Sequence, residues 1–69
     1  MTFIHNTAIL DNEVMIGKNV SIWHFSHVLP GSIIGNNCTL GQNVMVGPKV
    51  KIGNGCKIQN NVSIYEGIE

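Results

Sequence analysis

Sixty-nine residues make one domain, and a chain this short buries too little surface to be comfortably stable alone. Four basic residues cancel four acidic ones and form no basic stripe, which argues against nucleic acid and anionic membranes as partners. The sequence has no long apolar run and no signal peptide, so the cytoplasm is the expected compartment.

In chain order, the predicted elements are marked by Ile4, Leu10, Ile16, Ile22, Val28, Ile34, Leu40, Val46, Ile52, Ile58 and Ile64, an unbroken run of aliphatics spaced six apart. The phase four residues later reads Ala8, Val14, Val20, Ser26, Ser32, Cys38, Val44, Val50, Cys56, Val62 and Ile68, small or β-branched throughout and able to share an interior. All eight glycines fall one or three residues after an aliphatic, and all nine asparagines two or three after it. Gly and Asn tolerate positive φ, so each hexad reads as a short strand followed by a tight bend. A helix needs apolar positions every three to four residues and is excluded. The chain is therefore a β-solenoid.

This pattern resembles that of the hexapeptide-repeat proteins. The resemblance implies an all-β fold, a left-handed parallel β-helix with three hexads per triangular coil, so that residues 4–69 supply about three and two-thirds coils. The hand comes from the family, because crossovers between parallel strands are ordinarily right-handed. Solenoids need capped ends, and Glu69 closes a hexad with no capping helix or polar tail. Residues 1–69 are thus expected to form a single β-helix domain truncated at its C-terminal end. Cys38 and Cys56 stack one coil apart in the inward phase and are expected to be free thiols.

Folding the sequence at eighteen residues separates three faces. The hexads starting at Ile16, Ile34 and Ile52 are bland consensus. Those starting at Leu10, Val28, Val46 and Ile64 are more varied, with Pro30 and Pro48 stacked where no amide donor is needed. The hexads starting at Ile4, Ile22, Leu40 and Ile58 differ: successive columns read His5, Trp23, Gly41, Gln59, then Asn6, His24, Gln42, Asn60, then Thr7, Phe25, Asn43, Asn61. Trp23 replaces the usual turn glycine, and His24, Phe25 and His27 follow within its hexad. Trp23 and Phe25 read as the apolar contact between subunits, with ligand stacking as the alternative. Asn43, Asn60 and Asn61 are either bend residues or ligand contacts, and His24 and His27 either surface and interface histidines or polar ligand contacts. Gln42 and Gln59 are hard to explain structurally and suit a polar ligand.

The segments IWHFSHVLPGSIIG at 22–35, LGQNVMVG at 40–47 and KIQNNVSIYEG at 57–67 resemble, more narrowly, the nucleotide-diphosphate 3-amino-sugar N-acetyltransferases of bacterial surface-polysaccharide synthesis. One departure is Asn6, where members commonly carry Pro. The resemblance implies acetyl transfer from acetyl-CoA, without a metal, to the amine of a UDP- or dTDP-linked amino sugar. It also implies a homotrimer with sites in the clefts between solenoids. On that basis His24 is the candidate catalytic residue, Gln42, Asn43, Asn60 and Tyr65 are candidate substrate contacts, and Trp23, Phe25 and His27 belong to the interface.

Two alternatives come from other classes. A zinc hydratase on the same solenoid needs three histidines, and no second histidine-bearing coil follows His24 and His27. An ice-binding surface needs regular ranks of one hydroxyl residue, whereas Thr occurs only at positions 2, 7 and 39. The remaining non-enzymatic reading is an inactive truncated solenoid that oligomerises through Trp23 and Phe25.

Overall fold

Each hexad becomes one two-residue strand and one bend in the computed structural model, which describes residues 1–65. The strands are β1 (Phe3–Ile4), β2 (Ile9–Leu10), β3 (Met15–Ile16), β4 (Ser21–Ile22), β5 (His27–Val28), β6 (Ile33–Ile34), β7 (Thr39–Leu40), β8 (Met45–Val46), β9 (Lys51–Ile52), β10 (Lys57–Ile58) and β11 (Ser63–Ile64). They stack as three parallel sheets, in the orders β1-β4-β7-β10, β2-β5-β8-β11 and β3-β6-β9, so the chain is a left-handed parallel β-helix of hexapeptide repeats. The pairing register advances by one whole coil: Ile4 lies beside Ile22, Ile22 beside Leu40, and Leu40 beside Ile58. Among the described residues there is no helix, and hence none long and apolar enough to cross a membrane.

The second residue of every strand points into the lumen, as does the residue two before it on the chain. Ile22, Val28, Ile34, Leu40, Val46 and Ile52 are buried together with Val20, Cys38, Val44 and Val50. Toward the ends the burial fades. Leu10, Ile16, Ile58 and Ile64 are half-buried, and Ile4 is 39% exposed, because an end coil is covered on one side only. Two hydroxyls share this apolar lumen, and both are bonded. Ser26 Oγ donates to the Gly41 carbonyl at 2.6 Å and accepts the Val44 amide at 3.1 Å, while Ser32 Oγ accepts the Val50 amide at 3.1 Å. Cys38 and Cys56 are free thiols, one buried and one half-buried.

The bends share one conformation. Every sixth residue from 13 to 61 has positive φ: Glu13, Asn19, Phe25, Gly31, Asn37, Asn43, Lys49, Gly55 and Asn61, between 54° and 79°. Gly and Asn fit that region at little cost, but Glu13, Lys49 and above all Phe25 do not. From Gly31 onward the stack holds the bend, since the amide at this position donates to a backbone carbonyl one coil below. Asn37 reaches the Lys18 carbonyl at 2.7 Å, Asn43 that of His24 at 2.9 Å and Asn61 that of Gln42 at 2.8 Å.

Candidate functional site

Each coil has three corners, and the residue preceding the positive-φ position carries an amide that the strand ladder leaves over. The corners treat that amide in three ways. At the third corner, after β3, β6 and β9, the asparagine of the next coil caps it: Asn36 Oδ1 accepts the Lys18 amide at 2.8 Å, and Asn54 Oδ1 the Asn36 amide at 2.7 Å. The capping side chain lies directly over the first corner residue of the coil below, which is why that residue is Gly17 or Gly35. A Cβ on Gly35 would overlap Asn54 Oδ1 and come within 2.9 Å of the Asn54 nitrogen. At the second corner, Pro30 and Pro48 occupy the position after β5 and β8 and have no amide to cap.

The first corner, after β1, β4, β7 and β10, keeps the asparagine ladder only at its upper rung. Asn60 Oδ1 accepts the Gln42 amide at 2.8 Å over Gly41. Lower down the pattern is replaced. His24 stands where an asparagine would cap Asn6, Gln42 stands where one would cap His24, and His5 and Trp23 fill the glycine positions. Neither the Asn6 nor the His24 amide has a partner among the described residues.

An aromatic cluster occupies the vacated space. The rings of His5 and His24 lie 3.9 Å apart between centroids, Phe3 and Trp23 5.0 Å, Trp23 and His24 6.2 Å, and Phe3 and His5 6.3 Å. Phe25 follows at 6.4 Å from His24 and is 65% exposed. Its amide departs from the rule of the other bends. It donates to Thr7 Oγ1 at 2.9 Å instead of to a backbone carbonyl. Thr7 Oγ1 is in turn 2.9 Å from His5 Nδ1, which also accepts the Thr7 amide at 3.2 Å.

The twelve corner residues 5–7, 23–25, 41–43 and 59–61 include no Lys, Arg, Asp or Glu. What they offer is neutral hydrogen bonding beside aromatic faces, on an open edge: no cavity is enclosed by the described residues. Such an edge suits a polar, ring-containing ligand held against a second surface.

The structure brings together His24, Gln42, Asn43 and Asn60 at this corner, with Trp23 and Phe25 beside them. Asn43 sits in the bend at φ 54°, and Asn60 has one amide oxygen committed to the ladder, which leaves Gln42 with a side chain that bonds to nothing described. Two sequence-selected residues lie elsewhere. Tyr65 follows β11, so it stands at the second corner above Gly47, where it is 59% exposed. His27 opens β5 on the second sheet, and its Nε2 is 2.8 Å from Asp11 Oδ2, with the two side chains 38% and 31% exposed. A hexad begins before its corner and ends on the next sheet, so membership of one hexad does not mean membership of one site. Phe3, His5 and Thr7 were not selected. The signal that finds His5 is a 19-residue diagonal, the offset that sets Asn36 over Gly17, Asn60 over Gly41 and His24 over His5, whereas Thr7 lies one whole coil below Phe25 and Phe3 packs on Trp23.

A stack of hexads in which one corner departs from the Gly-Asn ladder defines the class as a parallel β-helix of hexapeptide repeats with one diversified edge. The family is shown by sequence: residues 13–48 and 31–66 each match the six-repeat pattern of the bacterial transferase hexapeptide family, and the chain belongs to it. A stretch of 39 residues, 56% of this chain, is 51% identical to the acyl-(acyl-carrier-protein)–UDP-N-acetylglucosamine O-acyltransferase of Brucella ovis. The Brucella canis and Brucella suis enzymes match to the same extent. The matched stretch spans 14% of the length of these relatives.

Proposed function

We propose that this chain is the acceptor-binding part of an acetyl-CoA-dependent N-acetyltransferase that acts on the 3-amino group of a nucleotide-diphosphate amino sugar. Membership of a transferase family supports the reaction class, and the relatives' nucleotide-sugar acceptor supports the substrate class. The single observation that carries the reading is the first corner, where the Gly-Asn ladder gives way to His5, Trp23, His24 and Gln42. Bend chemistry alone is fully met by glycine and asparagine, as the third corner demonstrates.

In this reading the neutral sugar amine attacks the thioester carbonyl, a tetrahedral oxyanion forms, and the thiolate leaves. His24 accepts the amine proton or fixes the amine by a hydrogen bond, Gln42 and Asn43 hold the sugar and diphosphate across successive coils, and Asn60 contributes its free side-chain nitrogen. Tyr65, one corner away, reaches a ligand that extends along the second sheet. The chain works as a cytoplasmic homotrimer, with Trp23 and Phe25 against the neighbouring solenoid and His27 on the flank of that contact. No metal takes part.

The activity of the relatives favours a second reading, O-acylation of UDP-N-acetylglucosamine from an acyl carrier protein. Assays of the full-length gene product with each donor separate the two. Acetyl-CoA with a 3-amino nucleotide sugar gives an amide stable to hydroxylamine, and the second reaction gives a labile ester. For the first, His24→Ala and Gln42→Ala should each lower kcat/KM by about tenfold, or ~1.4 kcal/mol of transition-state stabilisation, with the oligomer intact. Wild-type efficiency in both variants would refute the assignment of this corner.

A further inference from the structure

The first corner holds a second imidazole whose tautomer is set by its partners. The Thr7 backbone amide can only donate, and at 3.2 Å its acceptor is His5 Nδ1. That nitrogen must therefore be bare. The Phe25 amide uses a lone pair of Thr7 Oγ1 at 2.9 Å, which leaves the hydroxyl proton to donate to His5 Nδ1 at 2.9 Å. The Thr7 hydroxyl and amide then share the single Nδ1 lone pair, and His5 in this tautomer carries its proton on Nε2.

Nothing in the repeat requires this arrangement. The amides of the corresponding bends at Asn37, Asn43 and Asn61 reach backbone carbonyls one coil below, whereas at Phe25 a side chain intervenes and extends the network to a histidine. His5 occupies a column where the third corner has glycine, is half-buried, and packs 3.9 Å from His24.

We propose that His5 is a substrate-contacting residue that donates a hydrogen bond from Nε2 to an oxygen of a nucleotide sugar, and that Thr7 is the positioning residue that fixes it as that tautomer. The substrate class rests on the reading above; the tautomer does not. A fixed neutral donor beside His24 divides the work of the pair. His24 remains available to handle the amine, while His5 holds oxygen without competing for its proton.

The test uses full-length protein labelled with ¹⁵N-histidine, whose long-range ¹H–¹⁵N correlations distinguish the tautomers. Wild type and Thr7→Ser should show His5 protonated on Nε2 alone, and Thr7→Val, which keeps the shape and removes the hydroxyl, should show an exchanging mixture. Titration with UDP-N-acetylglucosamine should move the His5 ring signals saturably, with affinity weakened about fivefold or more in Thr7→Val and restored in Thr7→Ser. A wild-type His5 protonated on Nδ1, a tautomer indifferent to Thr7→Val, or a flat titration would each overturn the proposal. Saturable binding without acyl transfer would remove the reaction proposed above and leave the His5–Thr7 site standing.

Discussion

The first and third corners of this solenoid are built on the same strands and the same bend, yet they solve the same backbone problem differently. At the third corner a leftover amide is capped by the asparagine of the next coil, and glycine lies beneath it because the cap occupies the place of a side chain. At the first corner the cap is withdrawn from Asn6 and His24, and histidine and tryptophan take the glycine positions. The contrast teaches that glycine and asparagine in this repeat are a coupled pair, nineteen residues apart, and that a corner becomes open to larger side chains when both members are released together. Uncoupled change would be costly: a side chain under a retained asparagine collides, and an asparagine lost above a glycine leaves an amide to water.

Variants that break or sharpen this contrast should differ widely in effect. The largest loss is expected where the two corners share a lumen: Ile34→Asp puts an unpaired carboxylate among fully buried aliphatics and should cost about 4 kcal/mol or more, read as loss of the β circular-dichroism signal. Next, Gly35→Trp forces a side chain beneath Asn54 and should cost about 2–3 kcal/mol in urea denaturation. Adding Asn54→Gln, which copies the Trp23–Gln42 arrangement onto the bland corner, should recover about 1 kcal/mol. If the double variant is no better than the single one, the coupling is wrong.

Asn36→Ala removes the cap of the Lys18 amide and should cost about 1 kcal/mol, whereas Gln42→Ala, whose side chain supports no described backbone group, should stay within about 0.5 kcal/mol. The smallest effect is expected of the opposite sign. Phe25→Asn replaces an exposed ring at φ 58° by a residue suited to that conformation and should raise stability by about 0.5–1 kcal/mol. A fall in stability on the same urea assay would show that the Phe25 ring holds the corner together.

Most of this fold is written in the hexads, because a lumen too narrow for anything but aliphatic and small side chains enforces its period at every coil. The bends at Asn19, Gly31, Asn37, Asn43, Gly55 and Asn61 are legible for the same reason; those at Glu13, Phe25 and Lys49 are not, since their side chains do not favour positive φ, and at Phe25 and Lys49 a bond from the amide to the coil below holds the bend. Folding at eighteen residues finds the column His24, Gln42, Asn60 directly. It also places Tyr65 on the second face, but it does not reveal that Asn60 serves the ladder, that His27 stands on the next sheet, or that His5 and Thr7 join the contacts of this corner. Asn60 and His5 follow a nineteen-residue diagonal that a strict column count conceals, Thr7 bonds within its own column, and His27 lies past the bend at the start of the next strand.

The whole-coil register also fixes which changes of length the chain tolerates. Loss of six residues between Phe25 and Leu40 would keep every inward aliphatic in phase, yet it would turn all later residues by one corner and deliver Gln42 to the wrong edge. Loss or gain of eighteen would restore the edges while altering which coils are neighbours. An extra coil placed between His5 and His24 would leave a well-formed solenoid and separate the two imidazoles by one further layer. Insertion and deletion in such a chain are therefore quantised, in steps of six for folding and of eighteen for keeping a corner, and only the exact spacing keeps this pair in contact.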